Sequence, residues 1–329
     1  MMPHFSYVRP HSLKDAIGHL AENGARIHAG GTDLLGCLRE QIFDARKVVS
    51  ISGLSELHGF EKVSGGLRIG ALTTITEIAE HPLIRKHYTA LAQGASEVAS
   101  PQLRNQGTLG GNLCQKPRCW YYRGEFHCLR KGGDLCYAVG GENQFHCIFG
   151  SGGRCYIVHP SDTAPALAAL QAQVEITGPE GLRTVPVDDF HALPEDDVQR
   201  ETWLEPDEIV TAVRLPTPPP SLQSSYRKIR ARRAWDFALA GAALALELDG
   251  DRVVDGRVFL SGAAPIPWRS LSMEAAIRGK VLDDTTIAKA ADAVVKAARP
   301  LAKNKYKLPL FRGMIQEELR RIQQSAGAA

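Results

Sequence analysis

The sequence predicts an α+β chain of two parts, a larger domain over residues 1–220 and a smaller one over 221–329. Three observations carry this. At 329 residues the chain is about twice the length one ordinary domain needs. Strand, helix and hairpin patterns follow one another with no visible internal repeat or low-complexity tract. Prolines at 216, 218, 219 and 220 can continue neither a sheet nor a helix, and this stiff run is the best boundary in the chain.

The first segment reads as strand, helix, strand. Ser12 with Asp15 three residues on makes a capping-box pattern, and Ala16, Ile17, Leu20 and Ala21 recur at helical spacing before Gly24 closes the helix. Residues 25–29 form a short strand, Gly30 and Gly31 break it, 32–40 restart as helix, and 47–51 make a buried strand. Residues 67–99 read as a strand and then helical pattern, and 101–112 as a polar, glycine-rich loop ending in TLGGN. Residues 114–158 show no sustained period and read as an inserted, irregular loop held by what it binds. Helical pattern returns at 161–172, a hairpin turns around GPEG within 174–187, and 208–215 read as a strand. In the smaller domain, 224–230 and the pair flanking LDGDRVVDG predict a small antiparallel sheet, with helices at 283–298 and 310–323.

Composition narrows the function. With 39 Lys and Arg against 36 Asp and Glu the net charge is only +3, too balanced for a broad phosphate-binding surface, so nucleic acid is not an expected partner. The longest apolar stretch, 237–248, is about half of the roughly 20 residues a membrane-spanning helix requires. The N-terminus has neither a basic n-region nor an apolar h-region, which predicts a cytoplasmic chain, or a periplasmic one if a partner carries the export signal. No GxSxG, HExxH or GxxxxGK[ST] motif is present, which leaves redox chemistry ahead of hydrolysis and phosphoryl transfer.

Two glycine elements could hold an anion. In IHAGGTDLL a strand runs into Gly30 and Gly31 and then a Thr-Asp helix start, so backbone N–H groups could approach a phosphate at the positive end of a helix. The same segment could be a plain strand-to-helix connection, and it is not the GxGxxG of a Rossmann domain. TLGGN repeats the logic, and two such loops could grip one dinucleotide from both sides. Asp162, in HPSD at a helix start, could be an ordinary N-cap or an acceptor for a ligand hydroxyl. The basic run YRKIRARR reads as a solvated or subunit-facing surface, of which only one cation need touch a cofactor.

Of seven cysteines, six lie between Cys114 and Cys155, which in a reducing compartment points to metal rather than disulfides. From Cys119 the intervals are nine to Cys128, eight to Cys136, eleven to Cys147 and eight to Cys155. None is the CxxC knuckle of structural zinc sites, and four thiolates on an irregular loop suit an iron–sulfur cubane better. His127 and His146 sit beside cysteines and could ligate zinc, although there are cysteines to spare.

AGGTDLL, TLGGNLCQ, HPSDTAPAL, DEIVTAVRLP and YRKIRARRAWDFALAGAALAL, in this order across nearly the whole chain, resemble the FAD-binding medium subunit of the molybdenum hydroxylases, the xanthine dehydrogenase and carbon monoxide dehydrogenase family. The resemblance implies a two-part FAD-binding domain followed by a small domain with a three-stranded antiparallel sheet and helices. The cysteine-bearing insertion is similar to that of the subclass with an additional 4Fe-4S cluster, of aldehyde oxidoreductase or 4-hydroxybenzoyl-CoA reductase type, and GENQFHCIFG favours the aldehyde side. On that resemblance Cys119, Cys128, Cys136 and Cys155 are the cluster ligands and Cys147 is spare. It also implies that Ile27, His28, Ala29, Gly30, Gly31, Thr32, Asp33 and Leu34, with Thr108, Leu109, Gly110, Gly111 and Asn112, hold the FAD pyrophosphate and ribityl chain. Val98 would line the flavin or adenine pocket, Asp162 would accept from a flavin or ribose hydroxyl, Val210 would pack on the isoalloxazine, and Lys228 would sit near its pyrimidine edge, where a cation favours the anionic reduced flavin.

The expected role is an electron-transfer subunit with no catalytic acid or base of its own. A large molybdopterin-binding subunit and a small subunit with two 2Fe-2S clusters are the expected partners. Two rivals stand beside it: a self-contained flavoenzyme of the vanillyl-alcohol-oxidase type, which would turn over an alcohol alone, and a zinc-stabilised interaction module, which would be colourless.

Overall fold

The computed structural model describes residues 2–326, built on three sheets. The first is parallel, with Lys47–Ser50 between Ser6–Val8 and Ala25–His28. Ser12 caps the intervening helix Leu13–Leu20 by accepting from Asp15 N at 3.1 Å, and Ala16 and Leu20 bury its apolar side. The second sheet is antiparallel, in the order Phe60–Val63, Gly66–Gly70, Ile209–Pro216, Gln173–Gly178, Gly181–Pro186. Sequence pattern missed Phe60–Val63, whose central Glu61 and Lys62 are exposed and carry no apolar alternation.

The third sheet pairs Leu222–Ile229, Ala240–Asp249 and Arg252–Ser261 antiparallel, with a two-residue edge strand Trp268–Arg269 beyond the three expected. Its central strand explains the longest apolar stretch of the sequence. Ala242, Leu244 and Leu246 pack into the core beneath helices Leu271–Ile277, Asp284–Ala293 and Lys307–Ala326, whereas Ala243 and Ala245 on the opposite face join the core of the five-stranded sheet. Because successive strand side chains point to opposite faces, a strand covered on both reads as continuous apolar sequence. The proline run 216–220 separates the last strand of the second sheet from the first of the third.

Two local expectations change. TLGGN is not a loop but the start of a short helix, Leu109–Leu113, because the Thr108 hydroxyl accepts from Gly111 N at 3.3 Å and caps it. The helix expected from 32 begins at Leu34, after Gly31 takes a left-handed φ of 73°. The cysteine-rich segment is irregular apart from two short turns, Trp120–Arg123 and Leu129–Lys131.

Candidate functional site

The two glycine loops meet. A Cβ on Gly30 would overlap the carbonyl oxygen of Gln106, so the backbone of the first loop lies directly on the chain leading into the second. Together they wall a cleft of about 540 Å³, within the size range of cofactor sites. Ile27, Ala29, Gly30, Gly31, Thr32, Asp33 and Leu34 line one side, and Thr108, Gly110, Gly111 and Asn112 another. Val98, Asp162 and Val210 line it as well.

Three expected contacts do not reach the cleft. His28 alternates away from it between Ile27 and Ala29, and its Nδ1 lies 3.2 Å from Ser50 Oγ. Leu109 is fully buried in the core with Ala71 and Ile75. Lys228 is set behind Asp162, to which it donates at 2.7 Å, while also donating to the Glu97 carbonyl at 3.0 Å.

Asp162 is neither a helix cap nor a free acceptor. Ser161 caps the helix Thr163–Ala169 instead, its Oγ accepting from Ala164 N at 2.9 Å. The buried Asp162 carboxylate takes Lys228 on one oxygen and the Tyr226 hydroxyl, also at 2.7 Å, on the other. Burial raises its pKa against the pull of Lys228 and Tyr226. Asn112 Oδ1 ties the second loop to this helix, accepting from Thr163 Oγ1 at 2.7 Å and from Ser161 Oγ. Within YRKIRARR, then, Tyr226 and Lys228 face inward, whereas Arg227 pairs with Glu317 on the surface.

Asp33 lines the cleft but its carboxylate is committed elsewhere. It accepts from Arg118 Nη1, from Arg123 Nη2 at 2.8 Å and from the Lys116 backbone at 2.7 Å. Burial pushes its pKa up, but the Arg118 and Arg123 guanidiniums outweigh that and hold it below the ordinary carboxylate value. The carboxylate and its two guanidiniums carry a net positive charge, and Asp33 anchors the loop to the inserted segment. Sequence reasoning missed Arg118, Trp235 and Phe237, which line the cleft mouth, with the Arg118 guanidinium 5.4 Å from the Phe237 ring centroid. The only sequence signal for them was two aromatics, Trp235 and Phe237, inside an otherwise charged loop.

The insertion brings Cys119, Cys128, Cys136 and Cys155 to the wall of one small cavity, with Arg130, His146, Tyr121, Tyr122 and Tyr137 around them. Cys147, fully buried, does not line it. Burial raises the Cys119 thiol to about 12 and also raises Cys155. Among the described residues, no three His, Cys, Asp or Glu side chains close around a point as ligands of a single ion would. The donor set, four sulfurs and no carboxylate, fits a multi-iron cluster, which holds its thiolates farther apart than one ion does. His146 Nε2 stands 3.2 Å from Cys119 Sγ, whereas His127 is exposed. A further cavity of about 480 Å³ lies between the two sites, sharing Arg118, Pro160, Asp162 and Phe237 with the cleft and Cys119 and His146 with the cysteine cavity.

Two backbone loops gripping one cleft define a dinucleotide-binding chain. Residues 3–218 match the family model described as the FAD binding domain in molybdopterin dehydrogenase, and residues 224–322 match the CO dehydrogenase flavoprotein C-terminal domain. The chain therefore belongs to the FAD-binding subunits of the molybdenum hydroxylases, flavoprotein components of molybdenum-dependent oxidoreductases. It is 35% identical to the aldehyde oxidoreductase FAD-binding subunit PaoB of Escherichia coli (strain K12), over 94% of this chain and 95% of that one. It is 30% identical to a putative xanthine dehydrogenase FAD-binding subunit of the same organism, over 98% and 97%. Among solved structures, quinoline 2-oxidoreductase from Pseudomonas putida 86 superposes with a TM-score of 0.79 at 26% identity, over 99% of both chains. The carbon monoxide dehydrogenase of Hydrogenophaga pseudoflava gives 0.76 at 25%, over 96% of both. No helix among the described residues is long and apolar enough to cross a membrane.

Proposed function

We propose that this chain is the FAD- and 4Fe-4S-containing electron-transfer subunit of a molybdenum hydroxylase complex, with aldehyde as the favoured substrate class of the complex and an aromatic CoA thioester next. It would pass electrons between 2Fe-2S clusters of a small partner subunit and an external acceptor or donor, while a large molybdopterin-binding subunit handles the substrate. Residues 1–220 form the FAD-binding domain, with 114–158 as its iron–sulfur insertion, and residues 221–329 the C-terminal domain. The observation that carries the flavin half is the pair of glycine loops joined over one cleft.

FAD supplies one- and two-electron exchange when bound. The protein's part is to hold it: Gly30, Gly31, Gly110 and Gly111 line the cleft without side chains, so the pyrophosphate can lie close against both backbone loops. Val98 and Val210 offer apolar walls to the rings, and the Lys228–Asp162 pair sets a fixed dipole behind them. For the cluster, the support is the donor set, in which the four cysteines named by motif order share one cavity and Cys147 is left out. The similarity to an aldehyde oxidoreductase subunit over nearly the full length favours aldehyde.

The test is turnover by the purified full chain alone. It should reduce artificial dyes from a chemical donor and oxidise no aldehyde or thioester, because among the described residues every carboxylate lining the cleft, and Lys116, is already committed to an ion pair or hydrogen bond. Steady aldehyde turnover by this chain alone would establish the self-contained flavoenzyme instead.

A further inference from the structure

The geometry points to His146 as a positioning residue for the iron–sulfur site: its Nε2–H donates a hydrogen bond to the sulfur of Cys119 and raises the reduction potential of the cluster held there. The inference rests on the cluster reading above. Its own observation is the 3.2 Å separation of Nε2 and Sγ, within the range of an N–H···S bond, between two side chains on the wall of the same cavity.

A cysteine bound to iron has lost its proton and can only accept, so the imidazole must be the donor. The proton is not used at the other nitrogen, since among the described residues Nδ1 is buried without a hydrogen-bond partner. His146 is 5% exposed, so its imidazole is held among protein groups. Its backbone is fixed from the other domain: Asn304 Nδ2 donates to the carbonyls of His146 and Cys147 at 3.0 and 3.1 Å, and His146 N donates to the Asn143 carbonyl at 3.1 Å. The C-terminal domain thus holds the imidazole in register with Cys119. Hydrogen bonds to ligating sulfur withdraw electron density and stabilise the reduced cluster, and such outer-shell partners orient the ligand as well. His146 is not needed as a ligand, because four thiolates already line the cavity.

The experiment is a redox titration of the full chain followed by electron paramagnetic resonance, with iron and acid-labile sulfide counted in each sample. His146→Leu should keep the wild-type iron and sulfide content and titrate at a lower potential, and His146→Gln, which keeps an N–H donor, should recover part of the shift. Wild-type chain labelled with 15N-histidine supplies a readout that does not depend on a variant folding: the reduced cluster should show a weak nitrogen coupling. Equal potentials in wild type and His146→Leu at normal iron, or no nitrogen coupling, would overturn the inference and leave the cluster reading standing. A strong coupling with iron loss in His146→Leu would make the histidine a ligand and overturn it equally. A wild-type chain without iron would overturn the cluster reading and this inference together.

Discussion

The carboxylate of Asp33 accepts a hydrogen bond from the guanidinium of Arg123, 2.8 Å away in space and ninety residues later in the chain. Arg118 and the Lys116 backbone share the same carboxylate, so the first glycine loop and the cysteine insertion are tied through one residue. The cleft and the cysteine-bearing insertion are thereby mechanically linked.

Asp33→Asn should loosen both. Taking away the charge leaves Arg118 and Arg123 half-buried and short of a partner, at a cost of about 2–4 kcal/mol. Urea unfolding should register that loss, and protease should cleave within 114–155 sooner than in wild type, with weaker FAD retention. Unchanged stability and protection would show that the link carries no energy.

The same pair sets a pH dependence. Because the folded pKa of Asp33 is depressed, its contribution is fully present above the ordinary carboxylate value of 3.8 and is lost as pH falls through the lower folded value. The stability gap between wild type and Asp33→Asn should therefore hold from neutrality down to about pH 4 and shrink in stronger acid. Urea midpoints taken across that range check it, and a gap that keeps its neutral-pH size throughout the acid range would contradict it.

The glycines separate by what surrounds them. Gly30→Ala should damage the fold itself, since its Cβ has no space against the Gln106 carbonyl. Gly111 is different, because a Cβ there meets only the Thr108 hydroxyl, at 3.0 Å, and otherwise looks into the cleft. Gly111→Val should melt within a few degrees of wild type, corresponding to roughly 1 kcal/mol or less, yet bind FAD far more weakly. Full flavin occupancy in that variant would remove Gly111 from the site.

Ala at Cys119, Cys128, Cys136 or Cys155 should cost the cluster or make it labile, whereas Cys147→Ala should keep roughly four irons per chain. Cluster loss should also expose 114–155 to protease before the rest unfolds, as the segment has few regular elements of its own. Iron loss confined to Cys147→Ala, or zinc in place of iron, would overturn the ligand assignment.

Much of this was legible in the residues, and the failures have physical causes. A glycine pair after a strand announces close backbone approach, which is why the turn at Gly30 and Gly31 was legible, whereas the pair Gly110 and Gly111 proved to lie in a short helix capped by Thr108. His28 and Leu109 were misplaced because a motif is contiguous whereas a strand or helix shows a ligand only some of its side chains. The partners of Asp33, Arg118 and Arg123, could not be foreseen because they arrive from an insertion whose path no local pattern predicts. Trp235 and Phe237 reach the cleft only through the loop between Leu222–Ile229 and Ala240–Asp249, a tertiary fact. The buried strand Ala240–Asp249 was visible as an apolar run, but which residues served which core required the sheet.

The central claim, a flavin and an iron–sulfur cluster in one chain, is tested most directly by counting cofactors in the purified full-length protein alongside its absorption spectrum. The account predicts roughly one FAD with four irons and four acid-labile sulfides per chain, and a brown-yellow protein that bleaches in part on chemical reduction. A yellow protein with flavin and no iron would contradict the cluster half, and a colourless protein holding zinc would contradict both.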